Sequence, residues 1–447
     1  MPFRKPPRVR GATLRRVLNV VILLTVGAVA ASALSPARIP DWAREFASDH
    51  QISLYGRSAI LLDERTGTVL YEKNADQNIP PASLTKVMTI DVVFSLEAAG
   101  KISFQDRFTP PPVSWAQNMP PHSSLMFLGP GQLVSVWELL RGLAVASGND
   151  AALALALHCA GSVEGFASLM NGEAARLGLD QLYFEEPSGL SAKNTITARQ
   201  FAQFLRYYVH RWPETLEDLH SVREITYPKK ENYPNRMLGR SITQDNRNTL
   251  LWSYPGVDGI KTGFIEESDY NFAVTALQDG MRLVAVVLGI PGNGHLQGSA
   301  RRAADGKALL DYGFQNFQTL HADVPQTEPV TVWKGSARSV QVQPPDGGKS
   351  VPIVIPRAWD GTLSAELVQA RSVAAPVEPG QRMGTIIYRA GEKVVREVPL
   401  VASTPVSQGG LVRRVWDAVR VFFIRIVQGN GFLDWQHVAS LRITPSP

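Results

Sequence analysis

The chain has one cysteine, Cys159, which excludes an intramolecular disulfide. Cys159 falls in the apolar helical stretch from Ala151 to Gly161 and reads as a small buried hydrophobe rather than a reactive thiol. The eight histidines include no pair at metal-ligand spacing, and no glycine-rich phosphate loop opens a helix. No metal, nucleotide or other cofactor is therefore expected. No internal repeat is present, which excludes a solenoid or propeller. Neither sign of charge dominates: 45 Lys and Arg face 40 Asp and Glu, for a net charge of +5. Much of that excess sits at the two ends, so the basic balance does not call for nucleic acid. With 447 residues, 44% of them hydrophobic, the chain has the material for two folded domains plus appendages.

What is present is three short motifs in one order: Ser83-Leu84-Thr85-Lys86, Ser147-Gly148-Asn149 and Lys261-Thr262-Gly263. A serine hydroxyl is a poor nucleophile unless a base lies within hydrogen-bond reach, and S-x-x-K sets a lysine one helical turn beyond the serine on the same face. Ser83 is thus the candidate nucleophile and Lys86 its base. The helix is predicted to start just after Pro80-Pro81-Ala82 and to run into the apolar stretch Val87 to Ile90. Burial there, or the nearby cation Lys261, would lower the Lys86 pKa far enough for it to act as a base near neutral pH.

S-x-x-K, S-x-N and K-T-G in this order form the signature set of penicillin-binding proteins and class A β-lactamases. The likeness extends through Pro81-Ala82-Ser83-Leu84-Thr85-Lys86-Val87-Met88-Thr89, Ser147-Gly148-Asn149-Asp150-Ala151-Ala152, Asn246-Arg247-Asn248 and Val257-Asp258-Gly259-Ile260-Lys261-Thr262-Gly263. On these residues the chain resembles the low-molecular-mass penicillin-binding proteins that are serine-type D-alanyl-D-alanine carboxypeptidases, from about Ser53 to the C-terminal helix. The resemblance implies an oxyanion hole from the N–H groups of Ser83 and Phe264, with Gly263 letting the strand come close. It implies a proton relay through Ser147, a substrate amide held by Asn149, and a terminal carboxylate held by Lys261 and Thr262. Peptidoglycan stem peptides are the implied substrate, and β-lactams would acylate Ser83.

Some positions depart from the family pattern. Ile265 stands where threonine is usual, Ser268-Asp269 where alanine-glycine is common, and Pro187-Ser188-Gly189-Leu190-Ser191 replaces a form with histidine. Three other functions stay open on the sequence. A D,D-endopeptidase would use the same motifs on cross-links, and a non-catalytic wall-binding protein would need a broken triad, which this is not. A β-lactamase would need a carboxylate-activated water, but Glu185-Glu186-Pro187 offers no E-x-x-L-N pattern.

The two ends carry membrane signals. Arg4 to Arg16 form a basic region, Val20 to Val29 an apolar one, and Ala31-Ser32-Ala33 a cleavage pattern, so residues 1–33 read as a secretory signal. An uncleaved anchor is the alternative; both place the enzyme outside the cytoplasm, on the periplasmic face of the membrane. Residues 34–52 read as a linker. Residues 53–318 alternate helical and strand-like patterns, an α/β reading that the resemblance sharpens to an antiparallel sheet flanked by helices, of transpeptidase and β-lactamase type. Residues 323–403 are short β-branched runs between Gly, Pro and Asp turns, a small all-β domain. In 411–427 the residues Leu411, Val412, Val415, Trp416, Val419, Phe422, Phe423, Ile426 and Val427 recur at helical spacing among arginines. This amphipathic helix lies either in a membrane interface or against the β domain, and 428–447 is a tail.

Overall fold

The structure is a computed structural model that describes residues 38–233, 240–359, 361–428 and 435–443. The expected signal segment, 1–33, lies outside the described residues.

The catalytic half is built on a five-stranded antiparallel sheet of β1 (Ser58–Asp63), β2 (Val69–Lys73), β3 (Val257–Ile265), β4 (Asp269–Gln278) and β5 (Met281–Ile290), in the spatial order β2-β1-β5-β4-β3. Every residue of β1 is buried, and β5 is buried except for Arg282, so both sheet faces are covered. That explains why these strands read as continuous apolar runs rather than as alternations. The helices α5 (Ala198–Arg211) and α6 (His295–Asn316) pack on the sheet. A second, mainly helical part carries α2 (Thr85–Ala98), α3 (Asn149–Ala160) and α4 (Val163–Arg176), which pack on one another. Because β3 is an edge strand, the peptide groups on its open side have no sheet partner, and the turn before α2 lies against it. The cleft forms at that seam.

The chain turns all-β at Phe317, slightly earlier than expected. Phe317–Asp323 pairs antiparallel with Ser350–Pro356. A three-stranded sheet forms around Val330–Trp333, and a five-stranded one runs Val342–Gln343, Lys393–Ala402, Arg382–Ala390, Leu363–Ala370, Trp435–Ile443. Leu363–Ala370 alternates buried and half-buried side chains, the mark of a sheet with one face inward. The domain also runs beyond Ser403, since Val406 is buried and exchanges both backbone hydrogen bonds with Val377, at 2.9 Å each.

Two expected appendages are structured instead. Within the supposed linker stands a helix, α1 (Asp41–Asp49), whose Trp42 and Phe46 pack on Phe317 at the junction of the two domains. Lys393 of the β domain meets Glu45 of α1 at 2.6 Å. In the supposed tail, Trp435–Ile443 adds an edge strand beside Leu363–Ala370. Both elements are short and draw their stability from tertiary contacts, which composition alone does not reveal.

The amphipathic helix α7 (Leu411–Gln428) docks on the β domain, but by its polar side. Asp417 is buried and accepts the Lys334 N–H at 2.7 Å, Arg413 donates to the Ser336 and Ala337 carbonyls, and the Arg420 guanidinium lies over Trp333. The apolar stripe faces outward, with Val412 86% and Trp416 64% exposed. The helix thus packs on the β domain through one side and leaves its apolar stripe exposed.

Candidate active site

Ser83 sits in a tight 3-10 turn, Ala82–Leu84, that feeds directly into α2. Lys86 therefore comes one turn later, as the S-x-x-K spacing requires. It is fully buried, and its Nζ reaches Ser83 Oγ at 2.9 Å, Asn149 Oδ1 at 2.7 Å and the Ser188 carbonyl at 2.5 Å. Burial lowers its pKa from the ordinary lysine value to about 7; Glu186 and Asp150 oppose the shift and Arg247 adds to it.

The second motif enters through a backbone break. A wide turn of π-helix, Gly142–Ala146, ends at Ser147 in the left-handed region (φ +58°), and α3 starts at Asn149. The Asp150 carboxylate fixes this corner by accepting the N–H groups of Met126, Phe127, Leu128 and Ala151. Ser147 and Asn149 then face the same cleft as Ser83.

The third motif lies on β3. Gly263 is required there by closeness: a Cβ would stand 2.8 Å from the Pro81 carbonyl oxygen and 3.1 Å from the Ser83 amide nitrogen. The strand thus brings Phe264 beside the Ser83 backbone. Asn271 on the adjacent strand ties the sheet to the segment before Ser83 by donating to the Pro80 carbonyl at 3.0 Å. Lys261 is buried, donates to the Thr262 carbonyl at 3.0 Å, and is pushed well below the usual lysine pKa by burial first, then by Lys86, Arg247 and Arg302.

The cleft encloses about 270 Å³ and is lined by Ser83, Ser147, Asn149, Thr262, Gly263 and Phe264. All the expected site residues therefore converge, with Lys86 and Lys261 just beneath the lining. Two arginines join them that motif reading assigned no role. Arg247 lines the cleft and donates to Ser124 Oγ at 2.7 Å. Arg302, about two turns into α6, is buried against the Tyr270 ring, and its Nε and Nη2 have no protein acceptor among the described residues. The first was in plain view within Asn246-Arg247-Asn248; the second comes from a helix with no motif of its own. Of the departures from the family pattern, Ile265 lines the cleft, whereas Ser268 ends the β3–β4 turn and Asp269 begins β4, both outside the cleft lining.

The lone cysteine packs as a hydrophobe, as its helix position led one to expect. Cys159 is packed against the core, and burial followed by the charge of Asp106 raises its pKa to about 12, which suits a structural thiol. His158 stacks on Phe108.

A family profile described as D-alanyl-D-alanine carboxypeptidase matches residues 45–292, and one described as penicillin-binding protein 5, C-terminal domain, matches 314–408. The chain is 38% identical to D-alanyl-D-alanine carboxypeptidase DacC of Escherichia coli over 83% of this chain and 89% of that one. DacA of the same species is 34% identical over 82% and 87%. Among solved structures, penicillin binding protein 5 from Haemophilus influenzae superposes with a TM-score of 0.68 at 32% identity, covering 80% of this chain and 99% of that one. A profile over more than half of the sequence and relatives alike over most of both chains leave one assignment: this chain belongs to the D-alanyl-D-alanine carboxypeptidase family, serine hydrolases of the penicillin-binding class.

Proposed function

We propose that Ser83 is the nucleophile, Lys86 its base, and the arginine-rich end of the cleft the seat of the substrate's terminal carboxylate. The carrying observation is the 2.9 Å contact between Lys86 Nζ and Ser83 Oγ, made by a lysine that burial holds near neutral pKa. In its neutral form Lys86 takes the hydroxyl proton as Oγ bonds to the carbonyl carbon of the penultimate D-alanine. The N–H groups of Ser83 and Phe264 receive the developing oxyanion. The C–N bond then breaks, the proton passes by way of Ser147 to the leaving amine, and free D-alanine departs. Water hydrolyses the remaining ester. Asn149 offers its amide N–H to the peptide while its oxygen holds Lys86.

Lys261, Arg247, Arg302 and the Thr262 hydroxyl form the carboxylate end. A buried guanidinium with open donors is costly unless an anion completes it, and the terminal carboxylate of a stem peptide is such an anion. The same contacts accept the carboxylate of a penicillin. Penicillin-binding protein D2 from Listeria monocytogenes, 26% identical to this chain, has been solved in a cefotaxime-bound form. The test compares D-alanine release from a D-alanyl-D-alanine peptide with a free and an amidated terminus. Severe loss on amidation supports the reading; equal cleavage of both peptides refutes the carboxylate seat.

The proposed location is the outer face of the cytoplasmic membrane, reached by export through the N-terminal signal and held by α7. Among the described residues no single helix is long and apolar enough to cross a bilayer. The outward stripe of Val415, Trp416, Val419, Phe422 and Phe423 suits shallow burial in a lipid interface, with the catalytic half held above it by the β domain.

A further inference from the structure

The loop between α4 and α5 contains a carboxylate that the mechanism above does not use. Glu186 gathers almost every donor around it. Its Oε2 accepts the Ser188 N–H at 2.7 Å and the Ser188 hydroxyl at 2.5 Å. Its Oε1 accepts the Gly189 N–H at 2.5 Å, the Ser191 N–H at 3.3 Å and the Asn194 amide at 3.1 Å. These bonds close the turn at Ser188 and Gly189 into one conformation, with Gly189 at φ +85°.

That turn is pressed on the nucleophile. The Ser188 carbonyl is one of the three acceptors on Lys86 Nζ, and the Gly189 α-carbon abuts the Ala82 carbonyl and the Ser83 amide. The loop is clipped to α2 on both sides of the turn: Thr89 Oγ1 donates to the Pro187 carbonyl at 2.7 Å, and the Asn194 amide donates to Thr85 Oγ1 at 3.1 Å. With both oxygens engaged, Glu186 has no geometry for activating a water, so a β-lactamase-like role does not suit it.

We propose that Glu186 is a positioning residue for the acyl-transfer step: its carboxylate locks the turn whose Ser188 carbonyl holds the Lys86 amine against Ser83, and it sets a negative charge behind that turn. The proposal rests on Lys86 being the base. Four charged groups act on Lys86 from the elements around it: Glu186 from this loop, Asp150 from α3, Arg247 from the segment before Leu250, and Lys261 from β3. Glu186 is the strongest of the charges acting on Lys86, and it opposes the effect of burial. Lys261 is likewise pushed below its ordinary value, by burial first and then by the cations Lys86, Arg247 and Arg302. One loop residue thus supplies both a geometric hold on Lys86 and a negative charge that opposes the effect of burial on it.

The experiment is the pH profile of acylation by a fluorescent penicillin for the full chain and for Glu186→Gln and Glu186→Asp. Removing the charge should move the acid limb of Glu186→Gln to lower pH by about half a unit or more. Glu186→Asp keeps the charge but shortens the reach, so its limb should stay near the wild-type midpoint while its plateau rate falls. A Glu186→Gln limb at the wild-type midpoint with the rate lowered equally at every pH would reduce Glu186 to a structural residue and overturn the proposal. If Glu186→Gln does not fold, the Glu186→Asp profile decides: a displaced midpoint overturns the charge role. A wild-type profile with no limb near neutrality would instead sink the assignment of Lys86, and is read without any variant.

Discussion

Replacing Gly189 with alanine measures how closely the cleft floor is fitted to the nucleophile. A Cβ at this position would stand 1.8 Å from the Ala82 carbonyl oxygen and 3.0 Å from the Ser83 amide nitrogen. Ordinary contact begins near 3.4 Å, so the turn must retreat by about 1.6 Å, the difference between the two. A side chain in the left-handed region adds roughly 1–2 kcal/mol of strain. Retreat carries the Ser188 carbonyl away from Lys86 Nζ, now 2.5 Å distant, and loosens the base from Ser83. Since displacement of a reacting group by about 1 Å costs on the order of 100-fold, acylation should slow by ~100-fold or more. The fold should persist, because the strain falls on one turn at the cleft and leaves the sheet intact. The assay is the rate of covalent labelling by fluorescent penicillin, with a thermal melt alongside. A variant that folds and labels at the wild-type rate would refute the claim that this turn sets the geometry of the site.

Acylation should fall as pH drops through about 7, because protonated Lys86 cannot accept the Ser83 proton; a rate flat from pH 5 to 9 would contradict the role of Lys86. Arg302→Gln should raise the KM for a peptide with a free terminal carboxylate by ~10-fold or more, and should leave the amidated peptide nearly unaffected, which steady-state kinetics on the two substrates will decide. Replacing Trp416, Phe422 and Phe423 together by serine should abolish flotation with liposomes. High salt should weaken flotation only modestly, since Arg413 and Arg420 are turned to the β domain; binding that vanishes in salt would show electrostatics, not the apolar stripe, in control.

The motif residues were legible in the sequence because their chemistry fixes their spacing: Ser83 and Lys86 lie one turn apart whatever surrounds them. Arg302 was not legible. It reaches the cleft because α6 crosses the sheet beside Tyr270, a fact of packing that no local pattern encodes. Glu186 was visible as a carboxylate near the right place, yet its work depends on five donors brought to it by the turn it closes. The fully buried runs of β1 and β5 were recognisable as strands, and their antiparallel order came from family resemblance rather than from pattern. Helix α1 and the strand Trp435–Ile443 were passed over as linker and tail, since each is stabilised mainly by a partner far away in sequence. The outward stripe of α7 was readable from periodicity, whereas the docking of its polar side through Asp417 was not.

The central claim is that Ser83, and no other serine, carries the acyl group. Incubating the full chain with benzylpenicillin, digesting it and mapping the adduct by mass spectrometry tests this directly. The account predicts one penicilloyl group, on the peptide containing Ser83, and none after Ser83→Ala. An adduct on another residue, or labelling that survives in Ser83→Ala, would contradict it.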